Sequence, residues 1–241
     1  MSTSLPPISL AQLALAFLPV AVSVAILFRW SHEGRTAVYA ILRMLVQLLL
    51  IGYVLAFIFR AEHSIIVMLV LAMMLSTASW ISLRPLKASR LRLLPKALGA
   101  IAIGGGATLA LITQGVLDLQ PWFSPRYLIP LAGMTFANAM NTISVAGERI
   151  EAEMNAGAEF GAARAVALRA GLIPLTNSLL AVGLVAIPGL MTGQILSGVS
   201  PQVAARYQIM VMCMVYGSAG ISTAIFLNWI ESNYSSAGLN A

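Results

Sequence analysis

Long apolar runs alternate with short clusters of charged residues along the whole chain. Each run is close to the roughly 20 apolar residues that an α-helix needs to cross a hydrocarbon layer about 30 Å thick. The pattern therefore predicts about seven membrane-spanning helices, and the last is long enough to tilt or to extend past the bilayer. The predicted spans are residues 5–28, 36–59, 64–83, 96–117, 127–146, 170–188 and 204–230.

The composition supports an all-α polytopic membrane protein. Charged residues make up only 9% of the chain and hydrophobic residues 59%, which is far from the composition of soluble globular proteins. A length of 241 residues leaves little room beyond one bundle, so residues 1–241 are expected to form a single transmembrane domain. The net charge of +6 does not indicate a nucleic-acid partner, because the basic residues flank the apolar spans.

The distribution of Lys and Arg predicts the orientation, since cytoplasmic loops carry an excess of both. The richer loops follow the first, third and fifth spans, whereas the alternate loops hold only Arg60, Arg126 and Arg206. The N-terminus is therefore expected outside the cell and the C-terminus inside. The basic residues of the predicted cytoplasmic loops are Arg29, Arg35, Arg84, Lys87, Arg90, Arg92, Lys96, Arg149, Arg164 and Arg169.

One stretch, residues 148–169, is both charged and rich in alanine over about six helical turns. Gly157 and Gly161 interrupt it, and a glycine inside a helix costs about 1 kcal/mol relative to alanine. We interpret it as two short cytoplasmic helices, bent near Gly157, that dock a soluble partner. The alternative is a polar loop that only connects two spans. The candidate docking residues are Glu148, Glu151, Glu153, Gly157, Glu159 and Arg164.

The sequence lacks the residue patterns of several enzyme classes. The run Gly104-Gly105-Gly106 is not followed by the lysine that a phosphate-binding loop needs. The motifs of zinc proteases, dithiol oxidoreductases and serine hydrolases are also absent. The acids lie in loops or near the ends of spans. We therefore expect no enzyme activity, no bound cofactor and no metal site in this chain.

Four stretches of the chain, taken in order, carry a likeness to a known family. They are Arg43-x-x-x-Gln47-Leu48 with Gly52-Tyr53-Val54-Leu55; Ile129-Pro130-Leu131-Ala132-Gly133-Met134 with Asn138-Ala139-Met140; Pro188-Gly189-Leu190-Met191-Thr192-Gly193-Gln194-Ile195 with Gly198 and Pro201; and Tyr207-Gln208-Ile209-Met210-Val211. Together they extend over nearly the whole chain and resemble the FetB-type family of ABC transporter permeases. Bacterial members of that family are associated with iron export, and plant relatives with aluminium tolerance.

The resemblance implies a permease of the inner (plasma) membrane in which two copies of this chain form the pathway. It also implies two separate ATPase subunits that bind ATP and Mg²⁺, and outward transport of a metal ion or metal complex, with iron the cargo by resemblance. The stretch Glu151-Ala152-Glu153-x-x-x-Gly157 is similar to the Glu-Ala-Ala-x-x-x-Gly coupling loop of ABC importers and departs from it at Glu153.

The chain departs from the family within the predicted sixth span. There the family often has an acid and a lysine three residues apart, whereas this chain has Asn177 and Leu180. An acid and a base at that spacing can pair on one helix face, so their joint loss is consistent with a structural pair replaced as a unit. If the acid instead binds cationic cargo in the family, that cargo does not carry over to this chain.

Six polar residues within the predicted spans are candidates for lining a transport pathway. Arg43 and Gln47 lie four residues apart on one helix face, and the alternative for Arg43 is that its long side chain reaches the cytoplasmic interface. For the remaining four, the alternative is hydrogen bonding between helices. These four are Asn138, Asn141, Asn177 and Ser178.

The end of the predicted sixth span contains helix breakers. Pro188 and Gly189 interrupt it, and Gly189 and Gly193 have the spacing that permits close helix approach. The segment up to Pro201 is too apolar for an ordinary loop and too short to span. It is predicted to be a short re-entrant or interfacial helix that forms an outer gate or a dimer contact. The alternative is a surface turn.

Two functions are consistent with this sequence. The first is the transmembrane subunit of an ABC transporter into which a separate ATPase delivers energy at residues 148–169. The second is an ATP-independent secondary transporter or channel for a small solute. Such a protein more usually carries an ionisable residue near the membrane midplane and inverted internal repeats. The central turns of the predicted spans contain no ionisable residue except Arg43, and we find no such repeat.

Overall fold

The computed structural model describes residues 9–31, 33–58, 63–86 and 90–235. The chain divides into two compact units, Met1–Arg60 and Ala61–Ala241, and each is described by itself. Almost all described residues are helical and none belongs to a β-strand, which confirms the all-α class. Residues 5–8 and 59 of the predicted spans, and the basic residues Arg60 and Lys87, lie outside the described residues. The single domain over residues 1–241 stays a prediction.

The first unit consists of two short helices followed by a long one. Ser9 begins the first helix with a capping box, because the Ser9 backbone N–H donates to Gln12 Oε1 and the Gln12 backbone N–H donates to Ser9 Oγ. A break at Ala16 divides the predicted span 5–28 into two helices. The helices of this unit are α1 (Leu10–Leu15), α2 (Phe17–Trp30) and α3 (Gly34–Ile58).

The second unit is a bundle in which the last helix contacts most of the others. Its helices are α4 (Ser64–Ser82), α5 (Arg90–Ala110), α6 (Pro125–Asn155), α7 (Phe160–Ala181), α8 (Gly189–Leu196) and α9 (Pro201–Ser235). A π-helix, Leu111–Val116, continues α5. Helix α9 packs against α5, α6, α7 and α8, and α6 packs in addition against α4, α5 and α7. Helices α6 and α9 therefore form the centre of the bundle.

Small residues bring the helices of this bundle close together. A Cβ atom at Gly104 of α5 would lie only 2.6 Å from the backbone nitrogen of Ser222 on α9. A Cβ atom at Gly171 of α7 would lie 2.8 Å from the Thr142 carbonyl oxygen on α6. Lipid tails are as apolar as leucine, so helix association in a bilayer relies on such close packing. Both glycines are therefore contact points between helices.

Lysine 96 fastens the beginning of α5 to the end of α9. Its Nζ atom donates hydrogen bonds to the Trp229 carbonyl oxygen at 2.6 Å and to Ser232 Oγ at 3.1 Å. The sequence predicts Lys96 at the border between a basic loop and the span 96–117, whereas α5 already begins at Arg90. These bonds hold the beginning of α5 against the last turns of α9.

Six described segments are long and apolar enough to cross a membrane, and they correspond to the first five and the last of the predicted spans. They are Ala11–Trp30, Gly34–Ile51, Ser64–Ser82, Arg90–Val116, Pro125–Asn155 and Pro201–Ser232. The chain is thus a multi-pass helical membrane protein, whereas its orientation stays a prediction.

The predicted sixth span, residues 170–188, differs from the structure. Its helix is α7, which begins ten residues earlier at Phe160 and ends at Ala181, before Pro188. The chain leaves the helix at Val182, which is extended, and Gly183 follows with a φ of +82°. Residues 170–181 rise only about 18 Å as a helix, which is less than the hydrocarbon thickness. Glycine in the left-handed conformation, and not proline, ends this helix.

Gly104 provides a test of the close contact between α5 and α9. We expect Gly104→Ala to lower the free energy of unfolding by about 1–3 kcal/mol, because the new methyl group would force the two helices apart. The matched control is Gly106→Ala, since no atom of another described segment lies within 4 Å of a Cβ there. Thermal unfolding of the purified protein in detergent measures both. Equal stability of the two variants would contradict the contact.

Candidate functional site

The predicted docking segment is a tight turn between two long helices. Helix α6 ends at Asn155 and α7 begins at Phe160, so the expected pair of short separate helices is wrong. The predicted bend at Gly157 is confirmed, because this residue has a φ of +82°. The physical reason is that the alanine-rich sequence on either side continues the helices of the membrane spans. We call residues 156–159 the α6–α7 turn.

Gly157 allows α6 to end in a Schellman motif. The Ala158 backbone N–H donates to the Glu153 carbonyl oxygen at 3.1 Å, and the Gly157 backbone N–H donates to the Met154 carbonyl oxygen at 3.0 Å. This motif requires the left-handed conformation at the residue after the cap, which glycine adopts without steric cost. The path of the chain through the turn therefore depends on Gly157.

Glu159 closes the other side of the turn as the N-cap of α7. Its Oε1 accepts a hydrogen bond from the Gly161 backbone N–H at 2.9 Å, and its Oε2 accepts one from the Ala162 backbone N–H at 3.0 Å. These two bonds, with a smaller contribution from the charge of Arg164, hold the pKa of the Glu159 carboxyl below its ordinary value. The carboxylate is thus part of the helix end.

Arg164 attaches the first turns of α7 to the last turns of α9. Its Nη1 donates to Asn228 Oδ1 at 3.2 Å and lies 3.9 Å from Glu231 Oε2. Beside it, the ring centroids of Phe160 and Tyr234 are 6.0 Å apart. Burial, with a smaller effect of the Glu151 charge, raises the pKa of Tyr234 to about 12. An ion pair, a hydrogen bond and an aromatic contact therefore connect the docking segment to α9.

The structure brings some of the predicted docking residues together and separates others. Gly157, Glu159 and Arg164 surround the α6–α7 turn, whereas Glu148 is exposed on α6 more than two helical turns before Gly157. Glu153 is half-buried and pairs with Arg149 on the same helix. The charged residues at this end of the bundle therefore lie on two helices, α6 and α7, which are joined by the α6–α7 turn.

A groove runs beside the turn between α7 and α9. It has a volume of about 560 Å³ and extends from Gly161 and Arg164 to Asn228, with alanine and leucine between them. Sequence analysis did not find this groove, because its two walls are more than fifty residues apart in the chain and no pattern pairs them. Its lining combines apolar side chains with the polar groups of Arg164 and Asn228.

The predicted pathway residues do not converge on one site in the described chain. Arg43 and Gln47 are exposed on α3 of the first unit. Asn138 Nδ2 donates to the Met134 carbonyl oxygen of its own helix at 2.8 Å, and Ser178 Oγ donates to the Pro174 carbonyl oxygen at 3.0 Å. Both of these bonds stay within one helix, and hydrogen bonding of these two side chains between helices stays a prediction.

The two remaining amides, Asn141 of α6 and Asn177 of α7, are exposed on the bundle surface. Neither forms a hydrogen bond with another residue that the structure describes. An amide at membrane depth requires protein or water as a partner. Their role in a pathway stays a prediction.

The predicted gate residues lie at the start of α8. The segment after Pro188 is a short helix, as expected, and Pro188 is its N-cap residue. No atom of another described segment lies within 4 Å of a Cβ placed at Gly189 or Gly193. The predicted close helix approach at these glycines is therefore not formed within the described part of this chain. A contact with a second copy, and a gate, stay predictions.

A second cavity lies at the other end of α6. It has a volume of about 240 Å³ and is bounded by α6, α8 and α9, with Arg126, Gln194 and Tyr207 in its lining. In the sequence, Arg126 contributes only to the charge count of the loops and Gln194 only to a stretch that resembles the family. The signal available in the sequence was an arginine flanked by the aromatic residues Trp122 and Tyr127 at the start of a span.

Metal-binding residues are not gathered at either of these places. Within residues 9–31, 33–58, 63–86 and 90–235, no group of three or more His, Cys, Asp or Glu side chains is close enough to hold a metal ion. The absence of a metal site from the whole chain stays a prediction.

The capping role of Glu159 predicts a pH-dependent effect of its removal. The lowered pKa means that the carboxylate stabilises the fold above the ordinary value of 4.5, and that this contribution is lost as the pH falls through the lowered pKa of the folded state. We expect Glu159→Ala to lower the melting temperature at neutral pH and to match the unmodified protein in strong acid. Glu148→Ala, which removes an exposed acid without a capping bond, is the control. A difference that persists unchanged in acid would refute the capping role.

Comparison with known proteins places the chain among membrane proteins. The UPF0014 membrane protein slr1647 of Synechocystis sp. is 39% identical over 203 residues, which cover 75% of this chain and 76% of that protein. The probable iron export permease protein FetB of Escherichia coli is 33% identical over 235 residues, covering 89% and 87%. Protein ALUMINUM SENSITIVE 3 of Arabidopsis thaliana is 32% identical over 233 residues, covering 87% and 83%.

The resemblance to the FetB-type family is therefore confirmed. No solved structure matches the chain. The uncharacterised protein family UPF0014 matches residues 10–234, which is nearly the whole described helical region. With relatives more than 30% identical over most of both chains, this match shows that the chain belongs to the UPF0014 family of membrane proteins.

Proposed function

We propose that this chain is the permease subunit of an ABC transporter in the plasma membrane, and that two copies of it pair with two separate ATPase subunits. The similarity to a probable iron export permease supports transport as the function. The observation that carries the proposal is the α6–α7 turn, which joins two long helices and is capped on both sides. ATP hydrolysis and Mg²⁺ binding then belong to the partner, and this chain performs no catalysis.

The α6–α7 turn has the properties that a coupling element needs. Backbone hydrogen bonds around Gly157 fix one side of the turn, and the Glu159 carboxylate fixes the other by accepting two backbone N–H groups. We therefore expect a force applied to the turn to move the helices and not to unwind them. Its attachment through Arg164 carries the same displacement to α9. A flexible connecting loop would absorb such a force.

The charge and shape beside the turn favour a protein partner. The exposed Glu148 on α6 and the partly exposed Arg164 on α7 offer pairing groups of both signs, and the groove between α7 and α9 can receive a side chain or a helix end of the ATPase. Such a charged rim with a partly apolar centre is typical of interfaces between soluble and membrane subunits that assemble and separate. When the docked ATPase subunits close on nucleotide, their movement would displace the α6–α7 turn and the helices attached to it.

The proposed cargo is a metal ion or metal complex that leaves the cell, with iron as the first candidate. This part of the proposal rests on the similarity to the FetB protein. The relative named for aluminium sensitivity is consistent with a role in metal handling. The pathway would lie between two copies of the chain, where the exposed amides of Asn141 and Asn177 acquire polar partners.

Substitution of Gly157 tests the coupling role. We expect Gly157→Val to abolish most stimulation of the co-expressed ATPase, because a β-branched residue is strained at φ +82° and the turn must change its path. The matched control is Gly198→Val, since Gly198 ends α8 in the same type of motif with a φ of +92°. Co-purification and ATPase rate in nanodiscs measure the effect, with thermal unfolding as a check on folding.

Three results would count against the coupling role. The first is full stimulation by a folded Gly157→Val protein, and the second is an equal loss in Gly198→Val. The third is transport by the purified chain in liposomes without any ATPase, which would favour the secondary transporter or channel.

Cellular metal content tests the cargo. Cells that lack this protein should retain more iron than cells that express it when iron is supplied in excess, because the outward route is missing. Elemental analysis of washed cells measures iron, aluminium and other metals together. A strain with the Gly157→Val protein should resemble the strain that lacks the protein. Unchanged content of every metal would refute metal export.

A further inference from the structure

The cavity between α6, α8 and α9 has a single charged group in its lining. Among the described residues that line it, Arg126 is charged and no carboxylate is present. Arg126 forms no ion pair or hydrogen bond with any residue that the structure describes. Arg126 is exposed at the edge of the cavity, and most of the other lining side chains are apolar, so its guanidinium is the main electrostatic feature of the cavity. The cavity therefore favours a negatively charged occupant.

Further polar groups in the cavity can donate hydrogen bonds to such an occupant. Tyr127 and Tyr207 supply phenol hydroxyls, and Gln194 of α8 supplies a side-chain amide. The Gln194 Oε1 atom is buried and has no hydrogen-bond partner among the described residues. A buried polar atom without a partner costs free energy, and rotation of the amide presents its NH₂ group in the same place. A ligand that accepts hydrogen bonds would remove this cost.

We propose that this cavity binds the carboxylate or phosphate oxygens of a small anionic ligand. The planar guanidinium of Arg126 offers two parallel N–H donors that match such a group. Gln194 and the tyrosine hydroxyls orient the remaining oxygens. The volume of about 240 Å³ suits a small organic acid and is too small for a folded domain or a peptide helix.

If the chain transports a metal, as proposed above, an anion-binding cavity determines the chemical form in which the metal can bind there. The positive charge of Arg126 repels an uncomplexed ferrous or ferric ion that passes the cavity. Stripping a metal ion of its water also needs several carboxylate, imidazole or thiolate ligands, and the described residues do not gather such a set. A metal that uses this route therefore travels as an anionic complex, whose ligand oxygens contact Arg126.

Binding measurements on the permease alone test the site. The protein is purified without ATPase into phosphatidylcholine nanodiscs, and citrate, ferric citrate, inorganic phosphate and ferrous ion are titrated by calorimetry. We expect citrate or phosphate, and ferric citrate, to bind, and ferrous ion alone not to bind. Arg126→Gln should weaken binding by about tenfold to a hundredfold, because it removes a charge-assisted pair of hydrogen bonds. Gln194→Leu should weaken it less.

A matched control separates the site from general surface charge. Arg206 lies on α9 next to Tyr207, is exposed and does not line the cavity, so Arg206→Gln should bind as the unmodified protein does. Arg126→Lys should restore part of the affinity, which keeps the test valid if Arg126→Gln folds poorly. An equal loss in Arg206→Gln, or binding of ferrous ion alone, would overturn the proposal.

Lipid phosphate is the other source of the same chemistry. Native mass spectrometry of nanodiscs that contain phosphatidylglycerol measures lipid retention. If the unmodified protein retains this lipid, Arg126→Gln does not, and neither citrate nor phosphate binds, the proposal of a soluble anionic ligand is refuted. Failure of the ATPase to associate while Arg126-dependent binding persists would refute the proposed function and leave the site intact. If no anion binds while the ATPase associates and is stimulated normally, the proposed ligand site is refuted and the proposed function stands.

Discussion

The close approach of α9 to its neighbours is the constraint on which the second unit depends. Helices in a bilayer gain little by hiding apolar surface from lipid, so they associate where small side chains let their backbones touch. Gly104 of α5 lies against the backbone of Ser222 on α9. In the same way, Gly171 of α7 lies against the Thr142 carbonyl oxygen on α6. Lys96 adds polar bonds at the end of α9. These contacts fix how α5 packs against α9 and how α7 packs against α6.

Both candidate sites share α9. At one end of this helix, Asn228 and Glu231 hold Arg164 beside the α6–α7 turn. At the other end, Tyr207 lines the cavity that contains Arg126. Helix α6 likewise contributes to both places, through Arg126 at its start and Glu153 near its end. Two continuous helices therefore connect the proposed entry point of energy with the proposed ligand site, without an intervening loop.

The sequence was sufficient where the physical signal is local. Six of the seven predicted spans coincide with helices long and apolar enough to cross a bilayer, and a glycine within a charged stretch indicated the bend at Gly157. The end of α7 was misplaced because Pro188 is the stronger breaker in sequence, whereas the backbone turns earlier at Gly183. Proline prevents a helix from continuing, but left-handed glycine can end one without any neighbouring signal.

The sequence was not sufficient where residues distant in the chain meet. Nothing in the pattern around Arg164 indicates Asn228 or Tyr234, because the contacts depend on how α7 crosses α9. The cavity with Arg126 needs three helices and is likewise a product of packing. The run Gly104-Gly105-Gly106 was recognised only as an incomplete phosphate loop. Its role as a helix contact requires the position of Ser222, which a single sequence does not give.

The length of α6 has a consequence for what surrounds the α6–α7 turn. Its 31 residues make a rod of about 46 Å, whereas the hydrocarbon layer is about 30 Å thick. Roughly a third of this rod must stand outside the oily interior, and a tilt of about 20° shortens its reach only slightly. The excess of about 16 Å extends into the headgroup region, which brings the total bilayer thickness to about 40–45 Å. The charged residues near the end of α6 can therefore be solvated while the rest of the same helix lies in the hydrocarbon layer.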